Sequence, residues 1–213
     1  MEMKEMGNKM TGQELVAFAR SKIGVPYVYG AKGEVVSEDL FDRLRKLYPQ
    51  YVLLSDRKKV GQVCVDCSGL ISWACNRPLN SSGWKVAAEK DIYPIATLGD
   101  APVGALVWMK GHIGIYSGKK DGVCHYIAAD GSKYGVREVP ISCNNFTHWL
   151  LVRDVFDYEE EEMKYYEKLK EIPKWAQPMI EEMIDKGCFA DKNALHLSDD
   201  MIRVIALMER KMK

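Results

Sequence analysis

From Gly104 onward the chain changes texture, and that change limits what it can fold into. The runs ALVWM (105–109), HIGIYS (112–117), VCHYIAA (123–129), GVREVPI (135–141) and HWLLVRDVF (148–156) are rich in β-formers. Short glycine-rich or polar turns separate them. Connections this short join strands as an antiparallel meander, because parallel neighbours need a crossover of about a dozen residues or more.

The preceding half reads as helices. TGQELVAFARSKIG opens at a Thr11 cap, carries Leu15, Val16, Phe18, Ala19 and Ile23 as an apolar stripe, and meets Gly24 as a stop. SEDLFDRLRKLYP has Ser37 as its cap and Leu40, Phe41, Leu44 and Leu47 along one side, with Pro49 ending it. DCSGLISWACN spaces Leu70, Ile71, Ala74 and Cys75 for a buried helix opening at about Cys67. The intervening VPYVYGAKGE is loop-like. Helices followed by a meander form an α+β domain, here expected over residues 11–157.

After Tyr158 the composition shifts again. YEEEEMKYYEKLKEI is charged and helical in character. KWAQPMIEEMIDKG places Trp175, Met179, Ile180, Met183 and Ile184 on one face, with Gly187 as a C-cap. SDDMIRVIALMERKMK opens at a Ser198 cap, with acids in its first turn and bases at its end. Residues 158–213 are therefore expected to form a small helical appendage. It would pack on its own chain, contact a partner surface or form a homodimer through its helices.

Thirty basic residues balance thirty acidic ones, which leaves no electrostatic footprint for nucleic acid or an anionic membrane. No apolar run approaches a membrane span, so no membrane insertion is expected. The N-terminal MEMKEMGNKM lacks an uninterrupted apolar stretch, and synthesis in the cytoplasm without a signal peptide is the expectation. Six cysteines in such a chain point to free thiols.

Three of those cysteines crowd into CVDCSGLISWAC (64–75). A structural zinc site needs a second tight ligand pair, which is missing downstream, so no metal is expected. A redox C-x-x-C belongs in a βαβ setting, not before a meander. Cys64, Cys75, Cys124 and Cys143 read as small buried hydrophobes. Cys67 differs. It follows a capping Asp66 at a helix N-terminus, where exposed N–H groups and the dipole stabilise a thiolate and line an oxyanion. Such a nucleophile needs a base. His112, in KGHIGIYSG, is the candidate, because it opens a short strand between glycines. His125 and His148 lack those flanks, and His196 falls in the appendage.

The pairing of DCSGLISW with GHIGIY resembles the NlpC/P60 family of cell-wall cysteine peptidases. The resemblance runs from ELVAFARSKIGVPYVYGAKGE through DGSKYGV to THWLL. It implies a papain-like α+β fold with N-terminal helices packed on an antiparallel sheet, a Cys67 nucleophile and a His112 base. Asp66, Ser68 and either Tyr27 or Tyr29 would line the substrate site, and no cofactor is implied. The substrate would be peptidoglycan or a muropeptide, cut at a γ-D-glutamyl bond to the diamino acid. The enzyme would act on the wall after release, as a phage lysin does, or on recycled wall peptides in the cytoplasm.

One position departs from the family pattern. The family's third polar residue, which orients the imidazole, aligns with Ala128. A hairpin centred near Lys120 also sets residue 128 opposite His112. His125 has the wrong parity in that register, and Asp130 is the other substitute within reach. Loss of the third group motivates an alternative, a weak or inactive wall- or peptide-binding homologue. Acyl transfer to an amine is a third possibility.

Overall fold

The structure, a computed structural model, describes residues 9–158, 165–191 and 193–212. The chain divides into two compact units between residues 159 and 160.

The first unit begins with β1 (Met10–Thr11) and α1 (Gly12–Ser21). Thr11 and Glu14 form a reciprocal capping box, with Glu14 N donating to Thr11 Oγ1 at 3.1 Å and Thr11 N to Glu14 Oε2 at 2.8 Å. Leu15, Val16 and Ala19 are buried. The helix stops at Ser21, before the expected Gly24, and leaves Ile23 half-exposed. β2 (Lys32–Val35) follows, then α2 (Glu38–Leu47), capped by Ser37 as expected. Phe41 and Leu44 bury the inner face of α2, while Leu47 points to solvent.

A 3-10 turn at Leu54–Lys59 leads into β3 (Val63–Val65), which pairs antiparallel with β2. A small core of Val28, Ala31, Val36, Phe41, Leu44, Val52 and Cys64 fills this layer. Next come α3 (Cys67–Cys75), α4 (Ser81–Ala87) and β4 (Ile92–Pro94). The sequence reading missed α4 and β4. Both are short, and α4 buries only Trp84.

The remaining strands are β5 (Leu106–Met109), β6 (His112–Lys120), β7 (Val123–Ala129), β8 (Val136–Pro140), β9 (His148–Leu150) and β10 (Phe156–Asp157). The expected last run, 148–156, is thus two strands. β9 enters the main sheet, the chain turns, and β10 pairs parallel with β1. The main sheet has the order β4-β9-β5-β6-β7-β8, with every neighbour antiparallel. α1 and α3 pack on it around Leu70, Ile71, Ile113, Ile115, Tyr126 and Ile127. This is an α+β fold in which α1 and α3 pack against an antiparallel sheet.

The second unit is not wholly helical. β11 (Tyr165–Tyr166) pairs antiparallel with β12 (Leu197–Ser198), beside α5 (Gln177–Asp185) and α6 (Asp199–Met212). Residues 159–164 of the expected first helix lie outside the described residues, and 165–171 form a strand and a 3-10 turn instead. Its core holds Tyr166, Ile172, Ala176, Ile180, Leu195, Leu197 and Ile202. Trp175 precedes α5 and is 58% exposed, so it does not join that buried face. Gly187 does end α5: at φ 72° it lets Cys188 N reach Met183 O at 2.9 Å. Among the described residues no helix is long and apolar enough to cross a membrane.

Candidate active site

Asp66 caps α3, accepting from the Gly69 N–H and from the Ser68 hydroxyl at 3.0 Å through Oδ1. Its Oδ2 accepts from the Gly30 N–H at 2.8 Å, which ties the Tyr27–Gly30 loop to the helix start. Each oxygen of this buried carboxylate is therefore engaged within the protein. Ser68 is also buried, and its hydroxyl is spent on Asp66.

Cys67 stands at the first position of α3 and is 7% exposed. Burial and then the neighbouring Asp66 charge push its thiol up to about 12, although backbone N–H groups of Ile113, Ser68 and Cys67 favour the thiolate. The helix terminus alone suggested the opposite direction. Desolvation wins because the sulfur is enclosed, so the resting group is a thiol. All six cysteines are free. Cys64 faces the small core beside α2 while Cys67 belongs to the main core, so the C-x-x-C spacing does not make a pair.

Tyr27 and Tyr29 lie on the loop held by Asp66. Burial chiefly, with the nearby Asp66 charge adding to it, holds the Tyr27 hydroxyl above its ordinary range. Tyr29 is raised by burial and Asp66, stacks on Tyr51 at 4.6 Å and meets Tyr48 edge-on at 5.0 Å.

His112 opens β6, the residue before Ile113. Its side chain is 14% exposed, and its ring stacks on Phe146 with centroids 5.6 Å apart. Nε2 lies 2.9 Å from Asp130 Oδ1. Asp130, 2% exposed, also accepts from Tyr126 Oη at 2.8 Å, Arg137 Nε at 2.6 Å and Asn144 Nδ2 at 3.2 Å. Desolvation alone would raise this carboxyl. The hydrogen bonds from His112, Tyr126 and Arg137 outweigh it and hold the group below the ordinary aspartate range. An ionised Asp130 only accepts, so Nε2 is the donor in this bond, and in a neutral imidazole Nδ1 would then be the acceptor nitrogen.

The expected register needs correction. The β6–β7 turn is Asp121–Gly122, with Lys120 paired to Val123, and the register shifts again between Tyr116 and Gly118. Below that irregularity Ile115 pairs with Ile127. Continuing the ladder puts Ala128 opposite Gly114 and Asp130, not residue 128, opposite His112. Ala128 is fully buried. A Cβ on Gly114 would come within 2.9 Å of the Tyr126 ring and 3.2 Å of Ala128 Cβ. The small Gly114–Ala128 pair thus leaves room for the Tyr126 ring on its way to Asp130. His125 pairs with Gly118, and its Nδ1 bonds Val123 O at 2.9 Å.

Tyr126, Arg137, Asn144 and Phe146 were absent from the sequence reading. Parity along β7 could have found Tyr126, which shares the face of residues 128 and 130. Asn144 and Phe146 come from a connection with no such signal. His148 bonds Thr147 and His196 bonds Glu167, each in a setting of its own.

No family model matches the chain, and no curated protein matches it. Solved structures similar to it include the P60 domain of an M. avium subspecies paratuberculosis antigen, at 20% identity and a TM-score of 0.43. That match covers 66% of this chain and 96% of the other. The NlpC/p60 domain of the peptidoglycan hydrolase SagA matches at 20% identity and a TM-score of 0.42, covering 67% and 99%. RipD from Mycobacterium tuberculosis, described as a non-catalytic NlpC/p60 domain protein adapted to peptidoglycan binding, matches at 17% identity and 0.44, covering 68% and 99%.

Proposed function

We propose that residues 11–157 form a cysteine peptidase of the NlpC/P60 type that cuts peptidoglycan stem peptides. The observation that carries the reading is the His112–Asp130 hydrogen bond, backed by three further donors, at the strand end adjoining the α3 N-terminus. In this reading Asp130 serves as the orienting group that the Ala128 alignment lacks.

In this reading the Cys67 sulfur attacks an amide carbonyl while His112 Nδ1 takes the thiol proton, so no preformed thiolate is needed. Asp130 stabilises the imidazolium that results. Backbone N–H groups at the start of α3 face the developing oxyanion. His112 then protonates the departing amine, and water releases the acyl group and restores the thiol. The favoured bond is the γ-D-glutamyl link to the diamino acid. Tyr27 and Tyr29 border the approach, while Asp66 and Ser68 hold the helix start and its loop.

Digestion of purified peptidoglycan by wild-type protein and by Cys67→Ser, followed by mass spectrometry of released fragments, tests this. Fragments made only by the wild type support it, and their new termini name the bond. A binding homologue without turnover is the second reading, favoured by the enclosure of Cys67. It is preferred if no wall type is cut and His112→Ala leaves Cys67 alkylation unchanged.

A further inference from the structure

Between α2 and β3 the chain buries an ion pair that the chemistry above does not use. Lys59 Nζ lies 2.7 Å from Asp56 Oδ1, with the two side chains 7% and 3% exposed. The ammonium also reaches Tyr27 O at 2.6 Å and both Ser132 O and Ser132 Oγ at 3.0 Å. The Ser132 hydroxyl donates to Asp56 Oδ1, and the Leu53 N–H donates to Asp56 Oδ2 at 2.9 Å. Desolvation would raise the Asp56 carboxyl, but the bonds from Lys59 and Ser132 hold it below the ordinary range.

Two of the three segments joined here flank the candidate centre. Tyr27 lies on the loop that Asp66 fastens beside Cys67. Ser132 sits in the β7–β8 turn, whose first residue is Asp130 and which Asp130 N closes on Gly135 O at 2.9 Å. The start of β8 also meets the chain just before the Tyr27 loop, with Val136 N donating to Val25 O at 2.9 Å. A buried ion pair is a weak source of net stability, since apolar residues of similar size often serve as well. Its bonds do tie residues 27, 56, 59 and 132 directly to one another.

We infer that Asp56 and Lys59 are positioning residues, a clamp that fixes the Asp130 turn against the Tyr27 loop and acts on the catalytic centre through Asp130. The inference rests on the reading of Cys67, His112 and Asp130 as that centre. It does not depend on which wall bond is cut.

The test replaces the pair together, Asp56→Leu with Lys59→Met, so that no lone buried charge remains. The pair is made in wild-type and Asp130→Ala backgrounds, and rates are taken per folded molecule from urea titrations. Peptidoglycan cleavage is the first readout. The His112-dependent part of Cys67 alkylation by iodoacetamide, followed by peptide mass spectrometry, is the second and needs no substrate. Loss of the clamp lowers both about tenfold to a hundredfold with Asp130 present, as expected for a misplacement of roughly 1 Å. With Asp130→Ala the same change costs less than about twofold.

A structural role alone would lower stability, leave the rate per folded molecule unchanged, and overturn the inference. Equal losses in both backgrounds would also overturn it. Should the double variant not fold, Ser132→Ala removes one contact on each partner and must show the same Asp130-dependent loss, about threefold. Wild-type cleavage with an unaffected clamp variant sinks the clamp alone. Alkylation indifferent to His112, with no cleavage, sinks the catalytic reading and the clamp with it.

Discussion

Asp130→Asn changes the charge opposite His112 while keeping the side-chain volume. The aspartate has two acceptor oxygens facing four donors, from His112, Tyr126, Arg137 and Asn144. An amide has one oxygen. Turned toward Arg137 and Tyr126, it presents its NH2 to His112 Nε2. The imidazole must then accept at Nε2 and carry its proton on Nδ1, the nitrogen that receives the thiol proton in the proposed mechanism. In the serine triad the equivalent exchange costs about 10⁴ in kcat, and a loss of that order is expected here. Asp130→Ala admits water and leaves both tautomers open, so its loss should be smaller, about 10².

Stability should rank the other way. Alanine strips Arg137 of a charged acceptor and opens space beneath His112, costing about 3 kcal/mol, whereas asparagine keeps the Arg137 bond and costs about 1.5 kcal/mol. Arg137 is 28% exposed, and solvent screening keeps both costs at the low end for a buried pair. Steady-state cleavage of soluble muropeptide and urea denaturation measure the two rankings. An Asn variant within threefold of wild type, or more active than Ala, would refute the tautomer argument.

Other consequences are simpler to state. Gly114→Ala should push the Tyr126 ring off Asp130, destabilise by about 1–3 kcal/mol and lower kcat more than it changes KM. The Glu138 carboxyl is raised by desolvation but held down to about 2 by hydrogen bonds from Arg20 and Lys120, among others. A folded value below the unfolded one adds stability above the ordinary glutamate range, and that stability disappears as pH falls toward 2. Urea midpoints of Glu138→Gln should therefore depend less on pH across this window. Iodoacetamide at pH 7 should label the exposed Cys143 and Cys188 before the enclosed Cys67, as resolved by peptide mass spectrometry. A fragment ending at residue 159 should stay folded with a cooperative urea transition, because the first unit has its own cores.

Elements with strong local signals were legible. Thr11, Ser37 and Asp66 each pair a capping oxygen with an amphipathic or buried run, and each caps the helix expected. Short pieces held by distant partners were not. β1 exists because β10 lies beside it, and β12 because β11 does, so neither has a pattern of its own. The charged run before residue 172 had helix propensity, but tertiary pairing prevailed over its last part. At the site, Cys67 and His112 stood out because a capped helix start and a glycine-flanked strand mark them locally. Lys59 gave no sign. A lysine among Asp-Arg-Lys-Lys reads as a solvated face until the fold supplies oxygens from residues 27 and 132.

The register around Ala128 bears on which side chain can face His112. Alignment tracks position along a strand, but His112 responds to what lies across from it. A two-residue Asp121–Gly122 turn, with the later shift between Tyr116 and Gly118, moves the facing position by two residues. An even shift preserves the face, so the position still points toward the imidazole. The side chain there changes from alanine to aspartate. The small residue left behind then acquires another use, since Ala128 and Gly114 make the space through which Tyr126 reaches Asp130. Shortening or lengthening the β6–β7 turn by one residue should therefore damage activity more than replacing Ala128 by serine. A one-residue slip would turn Asp130 away from His112 altogether, whereas serine adds a single atom.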